Sequence, residues 1–180
     1  MTTYINLNGD NGVGKSTICL LLNNALLNEG YKVKVIHLAD PVKKICAILA
    51  DEPIINYHNE LKDCLNSSLN TNRRELMLLI TSVIMRIVNK DVFWKIATNI
   101  NNRKDYDFII VGDARYFQWY RYLEDNNFKQ YNMYISKKEE DLTRLYKQDY
   151  ISYDTLLIND CSMTDLLTKC SDIVNVILAK

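Results

Sequence analysis

The chain has no net charge. Its 22 lysines and arginines offset 22 aspartates and glutamates, and both signs are spread along the 180 residues. That balance argues against the broad electrostatic surface with which proteins hold nucleic acid or an anionic membrane, though it leaves room for a local basic cleft. No apolar run approaches the roughly 18 residues of a membrane span. The opening MTTYINLNG has neither a basic nor an apolar leader region, so a soluble, cytoplasmic protein is expected. The five cysteines (Cys19, Cys46, Cys64, Cys161, Cys170) contain no C-x-x-C pair, and buried free thiols in a reducing compartment are the expectation. His37 and His58 stand without companions for metal binding or catalysis. Repeats, low-complexity tracts and inter-domain linkers are also lacking.

Glycine is scarce as well, yet three of only five glycines fall within six residues, as Gly9, Gly12 and Gly14. A turn needs one glycine or two, so this density asks for a ligand. TYINLNG before it alternates and reads as a strand ending at Asn8. After it, Ile18, Leu21, Leu22, Ala25 and Leu26 recur at helical spacing until Gly30. The same reading gives strands at YKVKVIHLAD, YDFIIVGD, KQYNMYIS and YDTLLIND. YDFIIVGD is nearly all apolar and belongs inside the sheet. Helices are expected at PVKKICAILAD, RRELMLLITSVIMRIV, VFWKIATNI, ARYFQWYRYLEDNN, KKEEDLTRLYKQD and SMTDLLTKCSDIVNVILA, the last capped by Ser162. One short helical piece is allowed within residues 53–70. Alternation of this kind predicts an α/β fold with a five-stranded parallel sheet flanked by helices.

Gly9 through Ser16 match G-x-x-x-x-G-K-[ST] in full, with Thr17 following. Glycines let successive N–H groups of Asn11, Gly12, Val13 and Gly14 turn inward, and the next helix adds the positive end of its dipole. Lys15 then reaches the β- and γ-phosphates of a nucleotide, and the Ser16 hydroxyl is a ligand for Mg²⁺. Average residue frequencies give roughly a one per cent chance of such a match by accident in a chain of this size. Here it also lies between a strand and a helix, as the chemistry requires. A base-reading N-K-x-D is missing, which removes the switch GTPases, and small-acceptor phosphoryl transfer remains.

Four further stretches resemble the phage-type deoxynucleoside monophosphate kinases, in order and over almost the whole chain. HLADPVKKICA resembles that family's A-x-P-(L/I)-K segment, and RRELMLLITSVIMR with DVFW its R…R helix and following tryptophan. YDFIIVGDAR resembles its D-x-R strand end, and LLINDCSMTDLL its last strand and helix. The resemblance implies a P-loop kinase fold in a single domain over 1–180, with an acceptor-binding insertion at about 41–100 and a lid at about 137–152. It implies an enzyme that moves the γ-phosphate of ATP to a (deoxy)nucleoside monophosphate with Mg²⁺. Carried over by position, Lys15, Asp113, Arg115 and the lid residue Arg144 act in catalysis. Ser16 and Asp113 face the metal, and Asn159 joins Gly9, Asn11, Gly12, Val13, Gly14, Lys15, Ser16 and Thr17 around ATP. Lys43, Arg74, Arg86 and Trp94 meet the acceptor. A viral source and the host cytoplasm go with the resemblance, and a homodimer is left open.

Three positions depart from the family pattern. Leu78 stands for its glutamine, Ile80-Thr81 for its Gly-Thr, and Trp119 where it carries an acidic residue. Rival functions therefore remain: another small-acceptor kinase such as a phosphomevalonate kinase, or a nucleotide-binding regulator without turnover. Each proposed contact also has a plainer counterpart. Trp94 suits core packing better than base stacking, and one of Arg73 and Arg74 is a helix-surface charge. Arg86 lies on an otherwise apolar helix face, where a buried guanidinium needs an anion. The tyrosine-rich RYFQWYRY reads as an amphipathic helix on the sheet.

Overall fold

The computed structural model describes residues 2–66, 69–98, 103–138 and 151–179. Its elements in chain order are β1 (Thr3–Asn8), α1 (Lys15–Asn28), β2 (Val33–Ile36), α2 (Asp40–Ala50), β3 (Leu65–Asn66) and β4 (Thr71–Asn72). They continue with α3 (Arg73–Ile87), α4 (Val92–Thr98), β5 (Phe108–Val111), α5 (Phe117–Asp125), β6 (Lys129–Ser136), β7 (Thr155–Ile158) and α6 (Met163–Ala179). Two compact units result, Met1–His37 with Ile100–Lys180, and Leu38–Asn99.

The first unit carries the five-stranded sheet, in the order β2-β5-β1-β6-β7 with every pairing parallel. As its apolar run predicts, β5 is an interior strand, and all four of its residues are buried. β1 lies at the middle and is buried throughout. Its alternation sorts the two faces. Ile5 and Leu7 join the cluster formed with Ile18, Leu22 and Leu26 of α1 and Leu166, Cys170 and Ile177 of α6. Tyr4 and Asn6 meet α5 instead: Tyr4 lies edge-on to Trp119 at 5.9 Å, and the Trp119 indole N–H donates to Asn6 Oδ1 at 2.9 Å. Trp119 is therefore a core residue of the amphipathic α5, which buries Tyr120 and Leu123 beside it.

Helix ends follow local chemistry. Beyond α1 the chain turns at Gly30, whose φ is 85°. Before α6, the Asp165 N–H donates to Ser162 Oγ at 3.2 Å while that hydroxyl donates to the Asp165 carboxylate at 2.7 Å.

Several expected elements are shorter than their sequence pattern, β5 and β7 at both ends, and for β2 and α5 the reason is visible. β2 stops at Ile36, because its neighbour β5 ends at Val111 and the last bond runs from Gly112 N to Ile36 O at 3.0 Å. α5 begins at Phe117 and not at Ala114, whose N–H donates to Leu7 O at 3.1 Å and whose carbonyl accepts from Tyr120 OH at 2.7 Å.

The second unit contains α2 with Pro41 in its first turn, the antiparallel β3–β4 hairpin, α3 and α4. Residues 53–70 hold more than the one helical piece expected: two 3₁₀ turns, Ile54–Tyr57 and Asn59–Asp63, and one strand of the hairpin. Arg73 organises them. Its guanidinium forks onto Glu52 at 2.6 and 2.7 Å and reaches the Leu61 and Cys64 carbonyls at 3.3 and 3.4 Å. The charged segment KKEEDLTRLYKQD lies largely outside the described residues. None of the five cysteines is in a disulfide; Cys19, Cys46 and Cys170 are buried as expected, whereas Cys64 is exposed next to β3. No helix among the described residues is long and apolar enough to cross a membrane.

Leu22 is fully buried between α1 and the sheet. Leu22→Ala should lower unfolding free energy by about 2–5 kcal/mol in urea denaturation, with circular dichroism unchanged. A cost under about 1 kcal/mol would mean that α1 is not anchored through this core.

Candidate functional site

Between Asn8 and Lys15 the chain turns through three glycines with left-handed φ: 139° at Gly9, 78° at Gly12 and 93° at Gly14. A Cβ on Gly9 would fall on the Ile135 carbonyl oxygen, and one on Gly14 would strike the Asn159 carboxamide. Both positions thus need glycine for space as well as for conformation. Gly14 is also the N-cap of α1, and no side chain caps that helix. The first amides of α1 are accordingly left for solvent or a ligand, at the positive end of the helix dipole.

The loop is braced from several strands. Asn159, just beyond β7, donates from Nδ2 to Val13 O at 2.8 Å and from its backbone N–H to Ser136 O at 2.7 Å. Lys15 is 8 % exposed and its ammonium donates to the carbonyls of Gly9 and Asp10 at 2.7 and 2.5 Å. Burial, assisted by the nearby Arg115, lowers its pKa from 10.5 to about 8, against the opposing pull of Asp10 and Asp113. Arg115 donates from Nη2 to Asn11 Oδ1 at 2.7 Å, which brings the loop after β5 onto the glycine loop. The charge of half-buried Asp113 acts on Lys15 and also raises the Cys19 thiol, whose pKa burial pushes up to about 11. Ser16 is exposed on the first turn of α1 and Thr17 half-buried beside it. One edge of one sheet therefore gathers Gly9, Asn11, Gly12, Val13, Gly14, Lys15, Ser16, Thr17, Asp113, Arg115 and Asn159. Such an edge presents the uncapped amides of a helix start, a buried cation, a guanidinium and a carboxylate, which is chemistry for a polyphosphate with its counter-ion.

Lys43, Arg74, Arg86 and Trp94 belong to the second unit. Lys43 pairs with Asp40 at 3.1 Å, and Arg74 forks onto Asp63 at 2.5 and 3.0 Å. Both adjacent arginines are ion-paired, Arg73 with Glu52 on a largely buried side chain and Arg74 with Asp63 on an exposed one. Arg86 is exposed, so the cost of burying a guanidinium gives no reason to place an anion there. Trp94 is 5 % exposed, which suits packing. Arg144 lies outside the described residues.

Sequence patterns do not single out Asn8, Tyr120 or Tyr153, which meet under the glycine loop only after folding. His37 lies where a Gly112 Cβ would stand. Gly112 thus makes room for an imidazole next to Asp113, a role that spacing along the chain does not reveal.

No protein-family model matches the chain, and no curated protein matches it significantly. Solved structures do resemble it. TT1252 from Thermus thermophilus superposes with a TM-score of 0.55 at 15 % identity, over 98 % of each chain. APE1195 does so with a TM-score of 0.50 at 17 % identity, over 98 % of this chain and 96 % of its own. A dephospho-CoA kinase from Campylobacter jejuni aligns over 98 % of both chains at 16 % identity, with a TM-score of 0.47 that is too low to argue from. These likenesses establish the fold class, α/β with a parallel sheet, and nothing finer.

The Lys15 shift has a definite sign. A bound polyphosphate favours the ammonium, so binding raises the lysine pKa back from about 8 and takes up protons above that pH. ATP affinity should be flat up to neutral pH and fall as pH rises through 8 toward 10. In the ligand-free protein the unfolded chain holds more protons across the same window, so stability should rise there. Equilibrium dialysis between pH 6.5 and 9.5 reads the first effect. An affinity that stays level through this range would contradict it.

Proposed function

We propose that this protein is a Mg²⁺-dependent phosphotransferase that moves the γ-phosphate of ATP to a (deoxy)nucleoside monophosphate. The observation that carries the reading is the convergence of Asp113, Arg115 and Asn159 from two other strands onto the glycine loop and Lys15. A loop that merely turned the chain would need neither a buried lysine nor an arginine docked on it.

In this reading the amides of the loop and of the first α1 turn hold the β- and γ-phosphates, and Lys15 neutralises charge between them. Among the described residues no group of three or more His, Cys, Asp or Glu could hold a metal. That suits Mg²⁺, which keeps several waters and binds through one or two protein oxygens plus phosphates. Exposed Ser16 and half-buried Asp113 are the residues that would hold it. Bound there, the ion would supply positive charge against the charge that develops on the phosphates. A phosphate oxygen of the acceptor attacks the γ-phosphorus as the bond to the β,γ-bridging oxygen breaks. ATP and the monophosphate become ADP and the diphosphate, with charge conserved. Arg115 is assigned to the charge spread over the transferring group, where positioning and electrostatics do most of the work.

Sequence resemblance alone assigns Lys43, Arg74 and Arg86 to the acceptor phosphate, Trp94 to the acceptor site, and Arg144 to a lid over about 137–152. It also makes about 41–100 the acceptor-binding insertion. Leu78, where the family pattern has glutamine, is 63 % exposed and offers no hydrogen bond. Thr81 spends its hydroxyl on Met77 O at 2.7 Å. The glutamine carboxamide is thereby gone and the Thr81 hydroxyl engaged, so a changed or narrowed base preference is expected, with dTMP or dGMP as acceptor.

A coupled ADP-release assay over ribo- and deoxy-monophosphates tests this, with mevalonate phosphate as control. Release stimulated by one or a few monophosphates, and cut by about 100-fold or more in Arg115→Ala, is the expected result. Stimulation by mevalonate phosphate alone would move the protein to another acceptor class. ATP binding without any release would leave a nucleotide-binding regulator.

A further inference from the structure

Beneath the glycine loop runs a chain of polar side chains that the phosphate chemistry itself does not use. Asn8, 9 % exposed, closes β1. Its Oδ1 accepts the Gly9 N–H at 2.7 Å, and its Nδ2 donates to the Tyr153 hydroxyl at 2.6 Å. The carboxamide also interacts with the phenol of Tyr120, which is 2 % exposed and donates to Ala114 O at 2.7 Å. Burial raises both phenols above their ordinary range, so each stays protonated; Tyr120 donates its proton to Ala114, and the Tyr153 oxygen accepts from Asn8.

The Tyr153 hydroxyl is held in place from several sides. Its ring lies edge-on to Tyr134 at 5.5 Å, and Tyr134 is the residue of β6 paired with Asn8. The residues on either side are tied to Asn132: the Asn132 N–H donates to the Asp154 side chain at Oδ2, 2.8 Å, and Asn132 Nδ2 donates to the Ser152 carbonyl at 3.1 Å. Phenylalanine would fill the same space without the cost of burying a hydroxyl. What the two hydroxyls reach are the peptides that carry the site. One is the first amide of the glycine loop, by way of Asn8; the other is the carbonyl between Asp113 and Arg115.

We propose that Tyr153, through Asn8, and Tyr120, through the Ala114 carbonyl, are positioning residues that hold the glycine loop and the Asp113–Arg115 loop in phosphate-binding register. Neither touches substrate. Both act on where amides and charges stand, and an error of about 1 Å there is enough to cost about 100-fold. The inference rests on the nucleotide-binding part of the function proposed above.

Tyr153→Phe and Tyr120→Phe each remove one oxygen and keep the ring. Thermal midpoints, Mg·ATP affinity and, once an acceptor is known, kcat and KM are measured for both. Tyr153→Phe is expected to weaken Mg·ATP binding by about tenfold. Tyr120→Phe is expected to lower kcat by a similar factor while the acceptor KM stays within about twofold. Asn8→Ala, which keeps both phenols, should reproduce the affinity loss and serves if either tyrosine variant fails to fold. Purely structural tyrosines would lower the midpoint and leave the folded protein's affinity and turnover unchanged; that outcome overturns the proposal. If the wild type binds Mg·ATP but phosphorylates nothing, the transfer reading falls, while the affinity measurements on Tyr153→Phe and Asn8→Ala still decide this one. If the wild type binds no Mg·ATP, both fall together.

Discussion

The chain must leave the middle strand of the sheet and start a helix within six residues, passing directly over the Ile135 carbonyl and past the Asn159 side chain. Only left-handed glycines make that passage, and a helix begun this way has no side-chain cap. The uncapped amides, the dipole and the buried lysine are consequences of this backbone path. Much else in the first unit supports it. α1 is anchored by Ile18, Leu22 and Leu26, and Asn159 and Arg115 hold the loop from opposite sides of β1.

The middle strand divides the labour of the sheet between its faces. Ile5 and Leu7 make an apolar seam with α1 and α6, which fixes the helix that carries Lys15 and Ser16. On the other face Asn6 and Asn8 replace apolar residues with polar ones. Each is satisfied: Asn6 by Trp119 and by Asn132 at 2.8 Å, Asn8 by Gly9 and Tyr153. Buried amides with all partners in place specify a single arrangement, whereas an apolar face would tolerate several. This is why the polar face lies next to the site that needs positional accuracy.

Much of the fold was legible in the sequence because its signals are local. The apolar run of β5, the alternation of β1, the helical spacing of α1 and the Ser162 cap each specify an element without help from elsewhere. The glycine loop was legible for the same reason, as was its placement between strand and helix. What could not be read depends on groups distant in sequence. Arg73 gathers residues 52–64 by reaching across some 20 positions to Glu52, so the hairpin and the 3₁₀ turns have no pattern of their own. Gly112 looks like a strand end until His37 is seen against it. The apolar spacing around Arg86 suggested a buried face, yet Leu79, Val83 and Ile87 along that helix are all exposed.

The central claim is that Lys15 and the glycine loop hold a nucleotide's phosphates. Calorimetric titration of Mg·ATP into wild type and Lys15→Ala at neutral pH tests it most directly, with circular dichroism and thermal midpoint confirming that both are folded. The account predicts saturable 1:1 binding to the wild type and a loss of about 100-fold in the variant, the scale of one preorganised charge removed from a phosphate site. Equal affinity in the two folded proteins, or no binding to either, would contradict it.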